Sequence, residues 1–270
     1  LYISSMGNTN LGWETQELFT VAANIEFIRR IRLEAEFYNR ATKDMLMNVP
    51  MPLTSGYSSR YENVGSMVNR GVDLTLNVDI VQTKDWHVGF NATFSYNKSK
   101  ITKLFNGYTE YAMPDYLLCY AVGHDAGEFY MQKFRGVNPE NGNPQWEVVD
   151  PETGAISLTE NFNNATMQLL GKSRYAPYYG GFGVDASWKG ISLAANFTWN
   201  YGKYTVNNML LFLESPGNAT SFNSGKHLLN MWRKPGDITN VPKWGTNPQF
   251  DSHMLEDASF LRLKNLTVAY

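Results

Sequence analysis

The feature that most constrains the fold is an alternation of apolar and polar side chains along runs of about ten residues. In the run 191–201 every second side chain is apolar, and the side chains between them are small or polar. Successive side chains of a β-strand point to opposite faces, so this pattern indicates a strand with one apolar face. That face would carry Ile191, Leu193, Ala195, Phe197, Trp199 and Tyr201.

The same alternation predicts several more strands, and tight turns join them into hairpins. The predicted hairpins join residues 19–27 to 31–37 through Arg29-Arg30, 72–80 to 86–96 through 82–85, and 182–188 to 191–201 through Lys189-Gly190. A further strand is predicted over residues 260–270. Its apolar phase slips between Leu263 and Leu266, which indicates a β-bulge.

Strand length and the placement of aromatic residues favour a membrane β-barrel. Strands of about ten residues, tilted by roughly 45°, match the thickness of a bilayer, whereas ordinary strands have about five or six residues. The apolar faces also begin or end in aromatics such as Trp86, Tyr96, Trp188 and Tyr201, which is typical of the aromatic girdles of outer-membrane barrels. The pattern alone leaves open a large soluble sandwich or propeller whose aromatics fill the core.

The connections between these strands alternate between short turns and long polar segments. Long connections are predicted over residues 42–70, 101–127 and 205–259. Outer-membrane barrels have short periplasmic turns and long extracellular loops, so all three long connections are expected on one side. With two less regular strands over residues 128–137 and 145–149, the chain is expected to supply about nine strands in up-and-down order.

The composition argues against several other classes of protein. A net charge of −2 disfavours a nucleic-acid-binding protein, which usually carries a basic patch. The single Cys119 rules out an internal disulfide framework, and the four histidines lack metal-ligand spacing, so neither a metal nor another cofactor is expected. No hydrolase, zinc-protease or phosphate-loop motif is present, so the chain is predicted not to be an enzyme and no catalytic residue is assigned.

Four segments, in order along the chain, carry specific sequence patterns. Residues 63–72 read Asn-Val-Gly-Ser-Met-Val-Asn-Arg-Gly-Val, and residues 256–270 read Glu-Asp-Ala-Ser-Phe-Leu-Arg-Leu-Lys-Asn-Leu-Thr-Val-Ala-Tyr. These resemble the patterns N-x-G-x-x-x-N-x-G-V/I and E-D-(G/A)-S-F-L-R-L-K-N-(L/I)-T-L-(G/S)-Y. Residues 38–57 and the Trp-Arg-Lys-Pro-Gly-Asp of residues 232–237 resemble a strand-to-loop passage and a late loop of the same family. That family is the SusC/RagA-like group of TonB-dependent outer-membrane transporters.

The resemblance implies an all-β fold, an antiparallel transmembrane β-barrel of roughly 22 strands around a plug. It places the barrel in the outer membrane of a Bacteroidota bacterium. Such transporters import glycans or peptides, are driven by the TonB–ExbBD complex and often carry a SusD-like surface lipoprotein as a lid. Residues 1–270 are expected to form a partial barrel from which the N-terminal plug, the TonB box and the closing strands are absent.

Two sets of residues are candidates for function in such a transporter. The polar strand faces are expected to line the interior against the plug, while the apolar faces meet membrane lipid. The predicted interior-facing residues are Asp73, Asn77, Asp79, Asn91, Thr93, Asn196 and Thr198. Aromatic rings in the loops could stack on a substrate, because exposed aromatics often serve binding. The loop candidates are Tyr108, Tyr111, Tyr116, Tyr120, Trp232 and Trp244.

TonB-dependent active import is the leading functional hypothesis, and two rivals belong to other classes. The first is a passive outer-membrane porin, which a plug and a TonB box upstream would exclude. The second is a secreted β-rich binding or adhesion module, which the full-length protein would support by being soluble without detergent.

Overall fold

The computed structural model describes residues 6–216 and 222–270. This part of the chain consists mostly of β-strands, with one short α-helix, α1 (Met209–Glu214). None of its helices is long and apolar enough to cross a membrane. In chain order, the strands are β1 (Thr15–Phe27), β2 (Ile31–Pro50), β3 (Ser59–Gln82), β4 (Trp86–Lys103), β5 (Glu110–Met113), β6 (Leu118–Ala121), β7 (Glu128–Gln132), β8 (Phe134–Val137), β9 (Pro144–Val149), β10 (Ile156–Thr159), β11 (Met167–Ser173), β12 (Tyr178–Trp188), β13 (Ile191–Tyr201), β14 (Tyr204–Val206), β15 (Leu255–Asp257) and β16 (Phe260–Ala269).

Seven of these strands form one antiparallel sheet, the main sheet, in the order β1-β2-β3-β4-β12-β13-β16. The three predicted hairpins are confirmed, and their turns lie together at one end of the sheet, which we call the turn end. Lys189 and Gly190 have φ values of 47° and 93°, as a two-residue type I′ hairpin turn requires. The opposite end of the sheet, where the long connections begin, is the loop end.

The bulge predicted in the last strand is also confirmed. Asn196 of β13 pairs with Asn265 of β16, but the next residue, Phe197, pairs with Leu263. Lys264 is therefore the extra residue of the bulge. Because of it, Leu263 before the bulge and Leu266 after it both lie opposite apolar residues of β13.

The register places the apolar side chains of the main sheet on one face. Val184 of β12 lies opposite Phe90 of β4 and Ala195 of β13, and Ala195 lies opposite Leu266 of β16. We call this the apolar face, and the other, which carries Asn196, the polar face. The side chains on the apolar face are not covered, since Val184 is 43% exposed and Leu266 is 59% exposed. Such a broad exposed apolar surface indicates contact with lipid or with another protein.

Aromatic residues bound the apolar face at both ends. At the turn end, Trp86 stacks on Trp188 with ring centroids 5.5 Å apart. At the boundary nearer the loop end, the ring centroid of Tyr178 lies 5.1 Å from that of Tyr96 and 6.4 Å from that of Tyr201. We call these three residues the tyrosine belt. The 11 residues of β12 between the two boundaries span about 34 Å along the strand. A tilt of roughly 45° reduces this to a height of about 24 Å, which matches the apolar band of outer-membrane barrels.

One predicted connection is wrong. Residues 42–70 are not a long polar loop but the continuation of β2 and β3, which leaves only residues 51–58 between the two strands. Two register shifts between Thr42 and Leu46 break the phase of β2, and Asp44 has a φ of 54°. These strand halves consequently lack the regular alternation on which the prediction depended.

The connection between β4 and β12, residues 104–177, folds into two small sheets at the loop end. One has the order β11-β7-β6-β5 and the other the order β10-β9-β8. The irregular strands predicted over residues 128–137 and 145–149 exist as β7 to β9, but they lie in these small sheets. The main sheet therefore has fewer strands than predicted, because a short strand does not reveal its partner strand in its own sequence.

The described residues of the connection between β13 and β16, 202–216 and 222–259, lie at the same end, as predicted, and β14 and β15 pair at the base of this connection. We call residues 104–177, 202–216 and 222–259 together the canopy. Two buried apolar clusters hold the canopy in place. The first cluster joins the canopy to the upper parts of β2 and β4, that is, the parts near the loop end. The second cluster joins the two connections of the canopy to each other. The first cluster comprises Met47, Val49, Ile101, Leu104 and Phe105, and the second Phe129, Met131 and Leu255.

Candidate functional site

The structure brings the seven predicted interior residues together on the polar face of the main sheet. They are Asp73, Asn77 and Asp79 on β3, Asn91 and Thr93 on β4, and Asn196 and Thr198 on β13. One row of this face crosses five strands, from Asn77 through Asn91, Gly183 and Asn196 to Asn265. The polar residues therefore form one continuous surface.

Two glycines make room for polar side chains on this surface. A Cβ at Gly183 would overlap the side-chain amide of Asn196 and lie 2.9 Å from Asn91 Nδ2. A Cβ at Gly89 would lie 2.6 Å from Asp185 Oδ1, and Asp185 Oδ2 in turn lies 3.0 Å from His87 Nε2. Because the glycines lack side chains, neighbouring amide and carboxylate groups lie directly over the strand backbone.

A cleft of about 1120 Å³ opens between the upper part of β4 and the canopy. Three of the six predicted loop aromatics line it: Tyr111, Tyr116 and Tyr120. Tyr111 packs edge-on against Phe105 with ring centroids 5.0 Å apart, and Tyr120 packs against the same apolar cluster. Tyr116 is 70% exposed, so its ring offers the largest free surface of the three.

The other three loop aromatics lie outside this cleft. Tyr108 packs edge-on against Phe105 at 5.2 Å. Trp232 connects two parts of the canopy, since its Nε1 donates a hydrogen bond to the carbonyl oxygen of Pro139 at 3.0 Å. Trp244 lines a separate, smaller cleft. The six aromatics therefore do not form one binding surface, and their role in substrate binding stays a prediction.

A network of polar and charged side chains lies inside the canopy, and nothing in the sequence indicated it. Trp146 Nε1 donates to Asp251 Oδ2 at 2.6 Å, and His253 Nδ1 lies 2.6 Å from Asp251 Oδ1. On its other side, His253 Nε2 lies 3.0 Å from Glu214 Oε2, and His227 Nε2 lies 2.8 Å from Glu214 Oε1. These side chains come from β9, α1 and two separate loop segments, so no sequence spacing could have revealed them.

The electrostatics of this network favour a charged histidine. Burial disfavours the charge on His253, but hydrogen bonds to Asp251 and Glu214 outweigh it and raise the pKa of His253 to about 9. Burial also acts to raise the pKa of Glu214, yet contacts with His253 and His227 bring it below its ordinary value. The network thus clamps an imidazolium between two carboxylates. Among the residues that the structure describes, no group of His, Cys, Asp and Glu has an arrangement that could hold a metal ion.

The main sheet defines the class of protein. An exposed apolar face of bilayer height, aromatic boundaries, a polar opposite face and loops segregated from turns together describe a section of a transmembrane β-barrel wall. The sequence model of one family, described as "TonB dependent receptor-like, beta-barrel", matches residues 1–213. The chain belongs to this family.

Individual relatives agree with this assignment. TonB-dependent receptor P3 of Formosa agariphila is 27% identical over an alignment of 287 residues, gaps included, and the alignment covers 99% of this chain and 28% of that protein. TonB-dependent receptor SusC of Bacteroides thetaiotaomicron is 26% identical over 291 residues, which cover 97% of this chain and 26% of that protein.

A solved structure described as "Structure of the RagAB peptide transporter" matches with a TM-score of 0.88 and 43% identity, over 99% of this chain and 30% of that chain. The resemblance to SusC/RagA-like proteins is therefore confirmed. The chain spans less than a third of the length of these relatives.

Proposed function

We propose that the protein to which this chain belongs imports a nutrient across the outer membrane by TonB-dependent active transport. The observation that carries the proposal is the two-faced main sheet in a member of the TonB-dependent receptor family. The apolar face contacts outer-membrane lipid, and the polar face with Asn91 and Asn196 surrounds an N-terminal plug. A closed barrel is needed because lipid cannot satisfy the unpaired backbone groups of an open sheet edge.

The proposed partners act at opposite ends of the barrel. TonB–ExbBD supplies energy from the turn end through the N-terminal region. A SusD-like surface lipoprotein covers the canopy at the loop end. Similarity to SusC and to the RagAB transporter supports this arrangement, as does the collection of both large connections at one end of the main sheet.

We propose peptides as the first substrate class and oligosaccharides as the second. The RagAB structure, described as a peptide transporter, is 43% identical to this chain, whereas SusC is 26% identical. In this proposal, the substrate moves through the cleft between β4 and the canopy, where the ring of Tyr116 is exposed. The ring can pack against apolar side chains or stack on sugar rings.

The test of transport uses the full-length protein in its own bacterium. Uptake of labelled peptides and labelled oligosaccharides is measured in the parent strain, in a deletion strain and in a strain whose transporter lacks its TonB-binding segment. Uptake of one substrate class should disappear in both altered strains. Uptake that persists without the TonB-binding segment would instead identify a passive porin.

The cellular location of the full-length protein is tested by cell fractionation and gel electrophoresis. It should fractionate with the outer membrane and change its electrophoretic mobility when it is boiled in detergent, because heat unfolds a closed barrel. Recovery of the folded protein from the soluble fraction without detergent would contradict the barrel assignment and support a secreted β-rich module.

A further inference from the structure

Three basic side chains lie on the apolar face of the main sheet, just beyond the tyrosine belt. We call Arg70, Lys98 and Lys100 the basic rim. Arg70 pairs directly with Lys98 across β3 and β4, two residues beyond the pair formed by Val72 and Tyr96 and therefore on the same face. Lys100 follows two residues later on the same face of β4, and all three side chains are exposed. The basic rim therefore begins about 7 Å along the strand from Tyr96 and ends about 14 Å from it.

The basic rim is a concentration of like charge. In an antiparallel sheet, like charges directly opposite each other are destabilising, and Arg70 and Lys98 occupy such positions. Arg70 Nε donates a hydrogen bond to the neutral Asn39 Oδ1 at 2.8 Å. Within the described residues, none of the three side chains takes part in an ion pair. The nearby acidic Glu17 is engaged by Lys43, whose Nζ lies 2.6 Å from Glu17 Oε1.

The position of the basic rim indicates which anion relieves this repulsion. Tyrosine rings lie at the boundary between hydrocarbon and headgroups, with their apolar body in lipid and their hydroxyl in water. Groups immediately beyond the tyrosine belt on the same face are therefore level with lipid headgroups. Long Lys and Arg side chains on this face reach the phosphates there, and anionic headgroups attract them.

We propose that the basic rim binds the phosphate groups of lipid A, the phosphorylated glycolipid of the outer leaflet. This inference rests on the proposed function, since it takes the apolar face as the lipid-facing one. The guanidinium of Arg70 can contact a phosphate through paired N–H groups, and Lys98 and Lys100 add point charges beside it. The lipid thereby fixes the height and orientation of this part of the wall in the outer leaflet.

The test compares lipid A binding by variants of the full-length protein in neutral detergent. The triple variant Arg70→Gln/Lys98→Gln/Lys100→Gln removes the basic rim. The control variant Arg32→Gln/Arg40→Gln/Arg262→Gln removes the same charge from the polar face, where these residues lie opposite Asn77, Asn69 and Thr198. Native mass spectrometry and titration give the dissociation constants for intact lipid A and for enzymatically dephosphorylated lipid A.

Each basic side chain is expected to contribute about fivefold in affinity, so the triple variant should bind intact lipid A roughly a hundredfold more weakly. The control variant should bind it as the unaltered protein does. The unaltered protein should also lose most of its affinity when the lipid is dephosphorylated. If the triple variant fails to assemble, Lys98→Gln/Lys100→Gln serves in its place, with an expected loss of about 25-fold.

Equal loss in the control variant, unchanged binding by the rim variant, or equal affinity for both lipids would each overturn the proposal. If one of these outcomes is found with a protein that is heat-modifiable and extracted by detergent, only the lipid A proposal is overturned, and the transport proposal stays intact. Folded protein that needs no detergent would instead overturn the proposed function itself.

Discussion

At the scale of single residues, side-chain direction separates neighbours on β4. Phe90 lies opposite Val184 on the apolar face, at mid-height between the two aromatic boundaries. Thr93 lies on the polar face, where its Oγ1 accepts a hydrogen bond from the backbone N–H of Gly181 at 3.0 Å. The same substitution at these two positions therefore reports which face meets lipid.

We expect Phe90→Arg to prevent assembly of the full-length barrel and Thr93→Arg to permit it. An arginine on the lipid face costs roughly 2–4 kcal/mol near the bilayer midplane, whereas one on the polar face stays hydrated. The measurements are outer-membrane yield and the mobility difference between boiled and unboiled samples. Loss of assembly in Thr93→Arg, alone or together with Phe90→Arg, would show that the faces are assigned incorrectly.

The clamp around His253 predicts that the canopy loosens in alkali. The pKa of His253 is about 9 in the folded protein, above its ordinary value of 6.5. The stabilisation from its charge is therefore fully present below pH 6.5 and is lost as the pH rises through about 9. The difference corresponds to at most about 3 kcal/mol.

Limited proteolysis and hydrogen exchange of residues 222–259 in the full-length protein, at pH 6.5 and pH 9.5, measure this effect. Protection should fall with pH in the unaltered protein, and His253→Gln should be weakly protected at both values. His124→Gln is the matched control, since His124 also contacts a carboxylate, that of Glu128 at 3.0 Å, but lies outside the clamp. A pH response that persists in His253→Gln would contradict the clamp.

The polar face of the main sheet could be predicted from the sequence, whereas the clamp around His253 could not. Residues such as Asn91 and Asn196 could be placed on one surface because strand periodicity alone determines their direction. The clamp of Glu214, Asp251 and His253 could not be predicted, because its members approach only after distant loop segments pack together. Loop aromatics such as Trp232 showed their packing role only in the folded canopy.

At the scale of elements, alternation predicted the strands that cross the apolar band and failed beyond it. Strands β12 and β13 were visible because one of their faces is apolar throughout. The upper halves of β2 and β3 pack against the canopy, and strands β7 to β9 lie within it, so none of these strands presents one uniform apolar face. Their partners are set by tertiary contacts, which leave no period of two in the sequence.

Gly180 of β12 offers a test of how closely β4 and β12 approach. A Cβ at Gly180 would overlap the backbone carbonyl oxygen of Thr93, an atom that cannot move without separating the strands. Gly180→Val should therefore destabilise the full-length barrel by about 1–3 kcal/mol or prevent assembly. Ala186→Val, on the same face of the same strand, should have little effect.

The free energy of unfolding in urea, after refolding into detergent micelles, gives the comparison between these two variants. Equal stability of Gly180→Val and Ala186→Val would contradict the register between β4 and β12.

At the scale of the whole molecule, the main sheet is open. Within the described residues, β1 pairs only with β2, and β16 pairs only with β13. Both outer strands thus present a row of unpaired N–H and C=O groups. In hydrocarbon each such group costs several kcal/mol, and in water such edges promote aggregation.

Residues 1–270 expressed alone are therefore expected not to form a functional unit. Refolding them into detergent should give aggregates or polydisperse species that proteases degrade, while the full-length protein refolds under the same conditions. Size-exclusion chromatography and proteolysis provide the comparison. A monodisperse, protease-resistant monomer with cooperative unfolding would contradict this expectation and favour an independent soluble β-domain.

The short pair β14–β15 has a consequence for how such proteins can diversify. Because Val206 pairs with Leu255, residues 207–254 leave and re-enter the fold at adjacent positions. The entropy of closing a loop grows only slowly with its length, so this segment can lengthen, shorten or be exchanged at little cost to β13 and β16. A lineage can therefore acquire new surface segments by recombination at this junction while it inherits the membrane wall unchanged.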